Sequence, residues 1–333
     1  MGPSMTEGYR LALIGGRGYT GMSFLPLVRQ HPHIELALAS SSSQAGLPLA
    51  EIDADWPNAD ETLVALDPDA VHTVDADIWV LALPNDQSKP WVAAIDAAHP
   101  EAVVVDFSAD HRFDDGWVYG LTELNRSALV GARRIANPGC YATAAGLALM
   151  PLVDDLDTPP VVFGVSGHSG AGKTPSPRND PERLADNLMP YQLTGHVHEQ
   201  EISYQLGRDV AFHPHVAPFF RGLSVTIRAG FKAPVEAEAL MGRWRQAYDD
   251  LPLIEVVADV PEIREVAGSA RAMLGGVSVD ARDRRCASFV VVLDNLLKGA
   301  ASQAMQNINV SLGLKEIEGL GEVGYDGPGC QMM

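Results

Sequence analysis

Short continuous apolar runs, separated by glycine-, proline- and serine-rich breaks, set the rhythm of the first part of the chain. Tyr9–Ile14, Ile34–Ala39, Ile78–Leu83 and Ala102–Asp106 are such runs. Without polar alternation, runs of this length read as strands buried on both faces, as in a parallel sheet. The acidic, proline-bearing stretch 53–77 reads as surface structure, and Pro26 falls inside the helix expected after the first strand, where it should bend the helix or end it early. After Pro151 the pattern changes. Val161–Val165, Leu223–Ile227 and Ala287–Leu293 predict further strands, Pro234–Tyr248 an amphipathic helix, and the segment from Asn295 a last helix reaching about Leu312. The expected organisation is an α/β chain. Residues 1–139 form a nucleotide-binding domain completed by a helix over 296–313, residues 140–295 a second domain, and residues 314–333 a glycine-rich loose tail in which Cys330 has no function.

Length and charge narrow the classes. A chain of 333 residues is long for one core. Its net charge of −19 argues against nucleic acid or anionic membrane as a partner. It leaves room for an anionic small molecule bound by a local basic pocket. Three widely spaced cysteines do not form a disulfide framework, which suits a reducing, cytoplasmic setting. No apolar stretch approaches the ~18 residues of a membrane span.

Chemistry gathers at four places. Gly15, Gly18 and Gly21 follow the first strand at G-x-x-G-x-x-G spacing and open a helix, as a dinucleotide pyrophosphate requires. Beyond the second strand stand hydroxyls, Ser40 and Ser42 among them, rather than the acidic residue typical of an NAD site. With Arg17 nearby, this favours the 2′-phosphate of NADP(H). Arg112 lies past the carboxyl end of a strand, where it either holds a substrate phosphate or pairs with Asp110 or Asp114. The turn Asn137-Pro138-Gly139 then leads into small apolar residues suited to a packed helix, placing Cys140 at the helix start. There the unpaired N–H groups and the dipole favour the thiolate.

Two further stretches leave alternatives. Gly167–Thr174 matches the phosphate-loop spacing G-x-x-x-x-G-K-T, but Pro175 and Pro177 occupy the place where the following helix must run, so the loop is read as a site lining or a plain connection. The pairs His196/His198 and His213/His215 invite a metallohydrolase reading, because alternate residues of an extended chain share a face. The competing reading gives one histidine to Cys140 as proton partner, oriented by Glu201. In it Arg221 holds a substrate carboxylate.

Taken together, Gly15–Gly21, Val105–Phe113, Val118–Arg126, Asn137–Thr143, Gly195–Ile202 and Asp294–Asn309 resemble the N-acetyl-γ-glutamyl-phosphate reductases of arginine biosynthesis, within the semialdehyde dehydrogenase superfamily. The likeness covers nearly the whole chain. Gly16-Arg17 departs from the Ala-Thr or Ala-Ser of many members. The resemblance implies a Rossmann-type parallel-sheet domain and an α+β catalytic and dimerisation domain like that of glyceraldehyde-3-phosphate dehydrogenase. It further implies NADP(H), an acyl-phosphate substrate and a dimer or tetramer. Cys140 is then the nucleophile, forming a thioester, with His196 its acid/base partner and Glu201 beside them. Ser169, His198, Arg112 and Arg221 would meet the substrate. Gly15, Arg17, Gly18, Tyr19, Thr20, Gly21, Ser40, Ser42, Pro84 and Asn295 would meet the cofactor, and no metal is expected. Aspartate- or aminoadipate-semialdehyde dehydrogenases are the nearest competitors, and an NADP-binding regulator without catalysis is a third possibility.

Overall fold

Strand β1 (Tyr9–Ile14) runs parallel between β2 (Ile34–Ser40) and β3 (Ile78–Leu81), and helix α1 (Tyr19–Arg29) connects β1 to β2. The chain continues through α2 (Ser88–Ala98), β4 (Val103–Asp106), β5 (Val118–Tyr119), α3 (Thr122–Leu129) and β6 (Arg134–Ala136). The six strands line up as β2-β1-β3-β4-β6-β5, every neighbour parallel. The apolar runs are buried, Trp79, Val80 and Leu81 completely, as a sheet covered on both faces demands. In the computed structural model, which describes residues 8–321, this sheet belongs to one unit made, among the described residues, of 8–138 and 300–321; Gly139–Gly299 form a second unit. Cys330 lies outside the described residues.

Several details depart from the sequence reading. Helix α1 runs through Pro26 to Arg29, with Ser23–Val28 buried; burial of that face outweighs the one backbone hydrogen bond proline cannot make. The final helix starts at Ala301, not 296, because residues 295–300 form turns; it ends at Ser311. Within the acidic stretch 53–77, Asp53 is buried and accepts from Arg29 Nε at 2.6 Å, while Trp56, Leu63 and Val71 join the core. Residues 315–320, expected to be loose, are tied down instead. Asn309 donates to the carbonyls of Glu316 and Glu318, Gln30 donates to that of Gly319, and Leu320 is buried.

The second unit holds α4 (Cys140–Leu149), β7 (Leu156–Gly167), α5 (Pro181–Leu184), β8 (Met189–Pro190), α6 (Val197–Leu206), β9 (Ala211–Ala217), β10 (Leu223–Phe231), α7 (Ala237–Tyr248), β11 (Ile254–Val256), β12 (Ala272–Val279) and β13 (Cys286–Leu293). Its sheet is mixed, in the order β11-β12-β13-β10-β7-β9-β8. Helix α4 is apolar all round and packs against this sheet and α6. Gly164 on β7 makes room for it, since a Cβ there would sit 2.4 Å from the Tyr141 ring. Helix α7 latches the other end of α4 through Trp244 Nε1 to the Ala148 carbonyl at 2.9 Å and the Tyr248 hydroxyl to the Leu147 carbonyl at 2.6 Å. Among the described residues no helix is long and apolar enough to cross a membrane.

In the first unit a buried amide network fixes the end of β6. Asn307 Nδ2 donates to the Gly120 carbonyl and to Asn137 Oδ1, and Asn307 Oδ1 accepts from the Thr122 hydroxyl at 2.6 Å. Asn137 Nδ2 in turn reaches the Ala300 carbonyl. Replacing Asn307 by leucine strands several buried polar groups at once. The expected loss is roughly 2–4 kcal/mol in equilibrium urea denaturation; a change under about 0.5 kcal/mol, typical of a neutral surface site, would refute the network's importance.

Candidate active site

Gly139 is extended (φ −72°, ψ 151°) and caps α4 with no side chain of its own. Its N–H is taken by Glu201, fully buried on α6, whose Oε1 accepts at 2.9 Å. Cys140 is thus the first residue of α4 and is half-buried; neither it nor Cys286 forms a disulfide. The thiol sits at the positive end of a ten-residue helix, in the position inferred from the Asn-Pro-Gly turn. Gly299 lies against it: a Cβ at that position would be 2.6 Å from the Cys140 Cβ and 2.8 Å from the Asn295 carbonyl oxygen. Nothing in the periodicity of the sequence singles out Gly299; only the close approach explains it.

The turn carrying Gly299 is held by Asp294. Its carboxylate accepts from the Leu296, Leu297 and Gly268 N–H groups and lies 2.9 Å from Arg221 Nε. Arg221, read from sequence as a carboxylate clamp, is therefore engaged by a buried carboxylate of its own chain. Asn295 spans two loops, its Nδ2 donating to the Ser169 hydroxyl at 2.9 Å and its Oδ1 accepting from Gly222 N–H at 2.7 Å. Ser169 lies in a short 3-10 turn, His168–Ala171, and no long helix follows Gly167–Thr174. This agrees with setting aside the phosphate-loop match.

His196 caps α6. Its Nδ1 accepts the His198 N–H at 3.0 Å, so in the neutral ring the proton resides on Nε2. Burial, reinforced by the nearby Arg178 cation and opposed by Glu199, brings its pKa down to about 4. The His196 ring lies 4.9 Å from that of His198, 5.5 Å from Tyr191 and 5.2 Å from Phe212. His198 in turn faces Tyr141 at 5.8 Å. Glu201, expected to orient the histidine, accepts the backbone N–H of Gly139. Tyr191, which sequence reasoning missed, is half-buried next to His196. Desolvation, with a contribution from Cys140, pushes its phenol up to about 12. His213 and His215 lie apart on β9, where the His215 ring packs 4.4 Å from Phe163. Among the described residues no three His, Cys, Asp or Glu side chains gather as metal ligands.

In the first unit the glycine turn has the shape a pyrophosphate needs. Gly15 has φ +93°, and a Cβ there would meet the Ala82 carbonyl oxygen at 2.3 Å. At Gly21 a Cβ would lie 2.5 Å from the Gly15 carbonyl oxygen, so the helix can begin tight against the turn. Gly18, Tyr19 and Thr20 stand at the helix start. Arg17 Nη1 donates to the Ser43 hydroxyl, while its buried Nε has no partner. Ser42 is exposed next door, Ser40 is buried with its carbonyl accepting from Gly15 and Gly16 N–H, and Pro84 is exposed past β3. A cation and hydroxyls with no carboxylate at this loop fit a 2′-phosphorylated dinucleotide. Arg112 Nε and Nη2 donate to the carbonyls of Asn137 and Phe107.

Two family models match the two halves. "Semialdehyde dehydrogenase, NAD binding domain" matches residues 10–132, and "Semialdehyde dehydrogenase, dimerisation domain" matches residues 140–295. The fold is also similar to that of solved aspartate semialdehyde dehydrogenases. Aspartate semialdehyde dehydrogenase II from Vibrio cholerae, complexed with ASA, gives a TM-score of 0.71 at 21% identity over 92% of this chain and 98% of that one. The enzyme with NADP from Candida albicans gives 0.68 at 17% over 91% and 98%. The class is therefore that of the semialdehyde dehydrogenases. Among sequence relatives, N-acetyl-gamma-glutamyl-phosphate reductase of Xanthomonas oryzae pv. oryzae (strain MAFF 311018) is 49% identical over 93% of this chain and 98% of its own length. That of Stenotrophomonas maltophilia (strain R551-3) is 49% identical over 93% and 97%. The chain belongs to the N-acetyl-gamma-glutamyl-phosphate reductase family.

The dual position of His196, helix cap and site residue, can be taken apart. Asparagine is a good N-cap and can accept the His198 N–H, whereas alanine cannot. His196→Ala should cost about 1 kcal/mol of stability and His196→Asn much less. Both should lose roughly 10²–10³-fold in turnover, as removal of an oxyanion donor does. Because the buried ring resists protonation, its neutral form stabilises the fold above pH ~6.5. That contribution is lost as pH falls from there toward about 4. Turnover should accordingly show no limb near pH 6.5 that disappears in His196→Asn; such a limb would contradict the assignment.

Proposed function

We propose that this protein reduces N-acetyl-γ-glutamyl phosphate to N-acetylglutamate semialdehyde, with release of phosphate and consumption of NADPH. It would do so in the cytoplasm, as a homo-oligomer. The observation that supports the reading is a thiol at the start of a buried helix, whose Gly139 cap is bonded to Glu201 on the helix that His196 caps, in a chain of this family. The Cys140 sulfur attacks the acyl carbon and the phosphate departs, leaving a thioester. The backbone N–H groups of the first turn of α4 point where negative charge develops on the acyl oxygen. His196 Nε2–H is the second donor to that oxygen. When bound, NADPH supplies the hydride that takes the thioester to the level of the aldehyde. The Gly15–Gly21 turn would hold its pyrophosphate, and Arg17 with Ser42 and Ser43 its 2′-phosphate. As the resulting tetrahedral oxyanion collapses, its C–S bond breaks, the aldehyde leaves and the sulfur returns as thiolate. The proton consumed overall ends on the released phosphate.

This scheme asks His196 to donate a hydrogen bond rather than to shuttle a proton. That suits a ring whose other nitrogen is committed to the helix cap. Glu201 acts through the backbone, fixing the Gly139 peptide and so the direction in which Cys140 projects. The covalent tether holds the acyl group in place for hydride transfer and turns a bimolecular encounter into an intramolecular step.

Cys140→Ser should bind NADPH as tightly as the parent in a fluorescence titration, yet lose turnover by several orders of magnitude. In the reverse direction, N-acetylglutamate semialdehyde with phosphate and NADP⁺ should be a better substrate pair than aspartate semialdehyde. Undiminished activity in the serine variant would rule out the covalent route, and a preference for aspartate semialdehyde would move the substrate assignment.

A further inference from the structure

The stretch between Gly172 and Asp180 has no part in the chemistry so far, yet it is carefully built. Asn179 organises it. Its Oδ1 accepts the Ser176 N–H at 2.7 Å, and its Nδ2 donates to the Gly172 and Thr174 carbonyls at 2.7 and 2.8 Å. Asp180 then caps α5 through the Glu182 N–H at 3.0 Å. The residue immediately ahead of these two anchors is Arg178. Its guanidinium carbon lies 5.0 Å from the centroid of the Tyr191 ring, whose own centroid is 5.5 Å from that of His196.

Two arginines of the second unit could serve an anionic substrate, and they differ in what already engages them. Arg221 lies against Asp294. Arg178 is half-buried over an aromatic face, and none of the described ion pairs or carboxylate hydrogen bonds involves it. A guanidinium has five N–H donors, so one hydrogen-bonded to the Tyr191 hydroxyl still has donors to offer, and its planar fork matches a carboxylate or phosphate. Its field reaches the site, since it helps hold the His196 ring neutral and lowers the Tyr191 phenol against the upward push of burial. Cys140 acts on the same phenol in the opposite sense, raising it.

We infer that Arg178 is a substrate-binding residue, an anion-receiving arm that the Asn179-braced loop presents beside Cys140 and His196. This rests on the reaction proposed above for the nature of the anion, which carries either the phosphate or the carboxylate of the acyl phosphate. The same guanidinium would serve both. It also gives a role to the proline-bearing loop, whose Pro175 and Pro177 restrict the chain ahead of the arginine.

A test independent of turnover uses two alkylating reagents on Cys140, anionic iodoacetate and neutral iodoacetamide. In Arg178→Met the iodoacetate-to-iodoacetamide rate ratio should fall several-fold, and Arg178→Lys should restore most of it. A merely structural arginine would change both rates together. An unchanged ratio in Arg178→Met overturns the inference whether or not the enzyme assignment stands. Reverse-direction kinetics then locate the anion. A rise of roughly 10- to 100-fold in KM for inorganic phosphate, with the semialdehyde KM steady, marks the phosphate. The same rise confined to the semialdehyde marks the carboxylate. If neither KM moves, Arg178 does not bind substrate. If the parent enzyme turns over none of these aldehydes while the alkylation ratio still falls in Arg178→Met, the reaction assignment fails and the anion site survives.

Discussion

The second unit depends on one buried hydrogen bond, from the Gly139 N–H to the carboxylate of Glu201. A helix begins with backbone donors that have no partner within it, and Gly139 has no side chain with which to meet them. Supplying the acceptor from another helix does two things. It satisfies a buried donor, and it ties the start of α4, with its thiol, to α6, with its histidine. Cys140 and His196, the two side chains of the proposed chemistry, are carried on helices that share this bond. A carboxylate near the thiol opposes the thiolate by charge repulsion, while the helix dipole favours it. Glu201 spends its hydrogen-bonding capacity on the backbone, which moderates that conflict.

His196 shows a related economy. A histidine that must only donate can be buried and kept neutral, and the cap on α6 fixes which nitrogen carries the proton. Desolvation excludes the imidazolium, the Nδ1 contact selects the tautomer, and what is left is a directed N–H. A water-exposed histidine at pH 7 would sample both charge states and both tautomers. One consequence is that fold stability and site protonation are coupled at this residue, so weakening the cap would loosen the chemistry as well.

Much of this was legible in the residues, for physical reasons that can be named. Buried parallel strands must be apolar on both faces, so Tyr9–Ile14 and Ile78–Leu81 stand out. The Gly15–Gly21 turn announces itself because only glycine tolerates the Ala82 carbonyl so near. Asn-Pro-Gly before small residues marks the start of α4, and with it Cys140. Signals failed where tertiary contact overrides local pattern. Helix Ala301–Ser311 is buried along its whole length yet carries Gln303, Gln306, Asn307 and Asn309, whose amides look solvent-facing until their partners are known. Gly299 and Tyr191 acquire meaning only through neighbours distant in sequence. The glycines after Lys315 suggested slack, but backbone carbonyls there meet the Asn309 and Gln30 amides.

The arginines teach the same lesson from the other direction. By composition Arg112, Arg178 and Arg221 are equivalent cations in a chain of net charge −19, and sequence context favoured the first and last. Burial reorders them. A buried guanidinium must be satisfied by its own chain before any ligand arrives, so Arg221 is drawn to Asp294 and Arg112 to backbone carbonyls. Such residues shape a site and hold its walls. Arg178 escapes that demand because an aromatic face, rather than a carboxylate, supports it. Stacking orients the guanidinium at small desolvation cost and leaves its hydrogen-bonding edge to the incoming anion. Binding energy gained at a group still seeking its charge partner exceeds that gained at one already neutralised. The proposed anion-receiving arm is accordingly the arginine that an aromatic ring supports rather than a carboxylate.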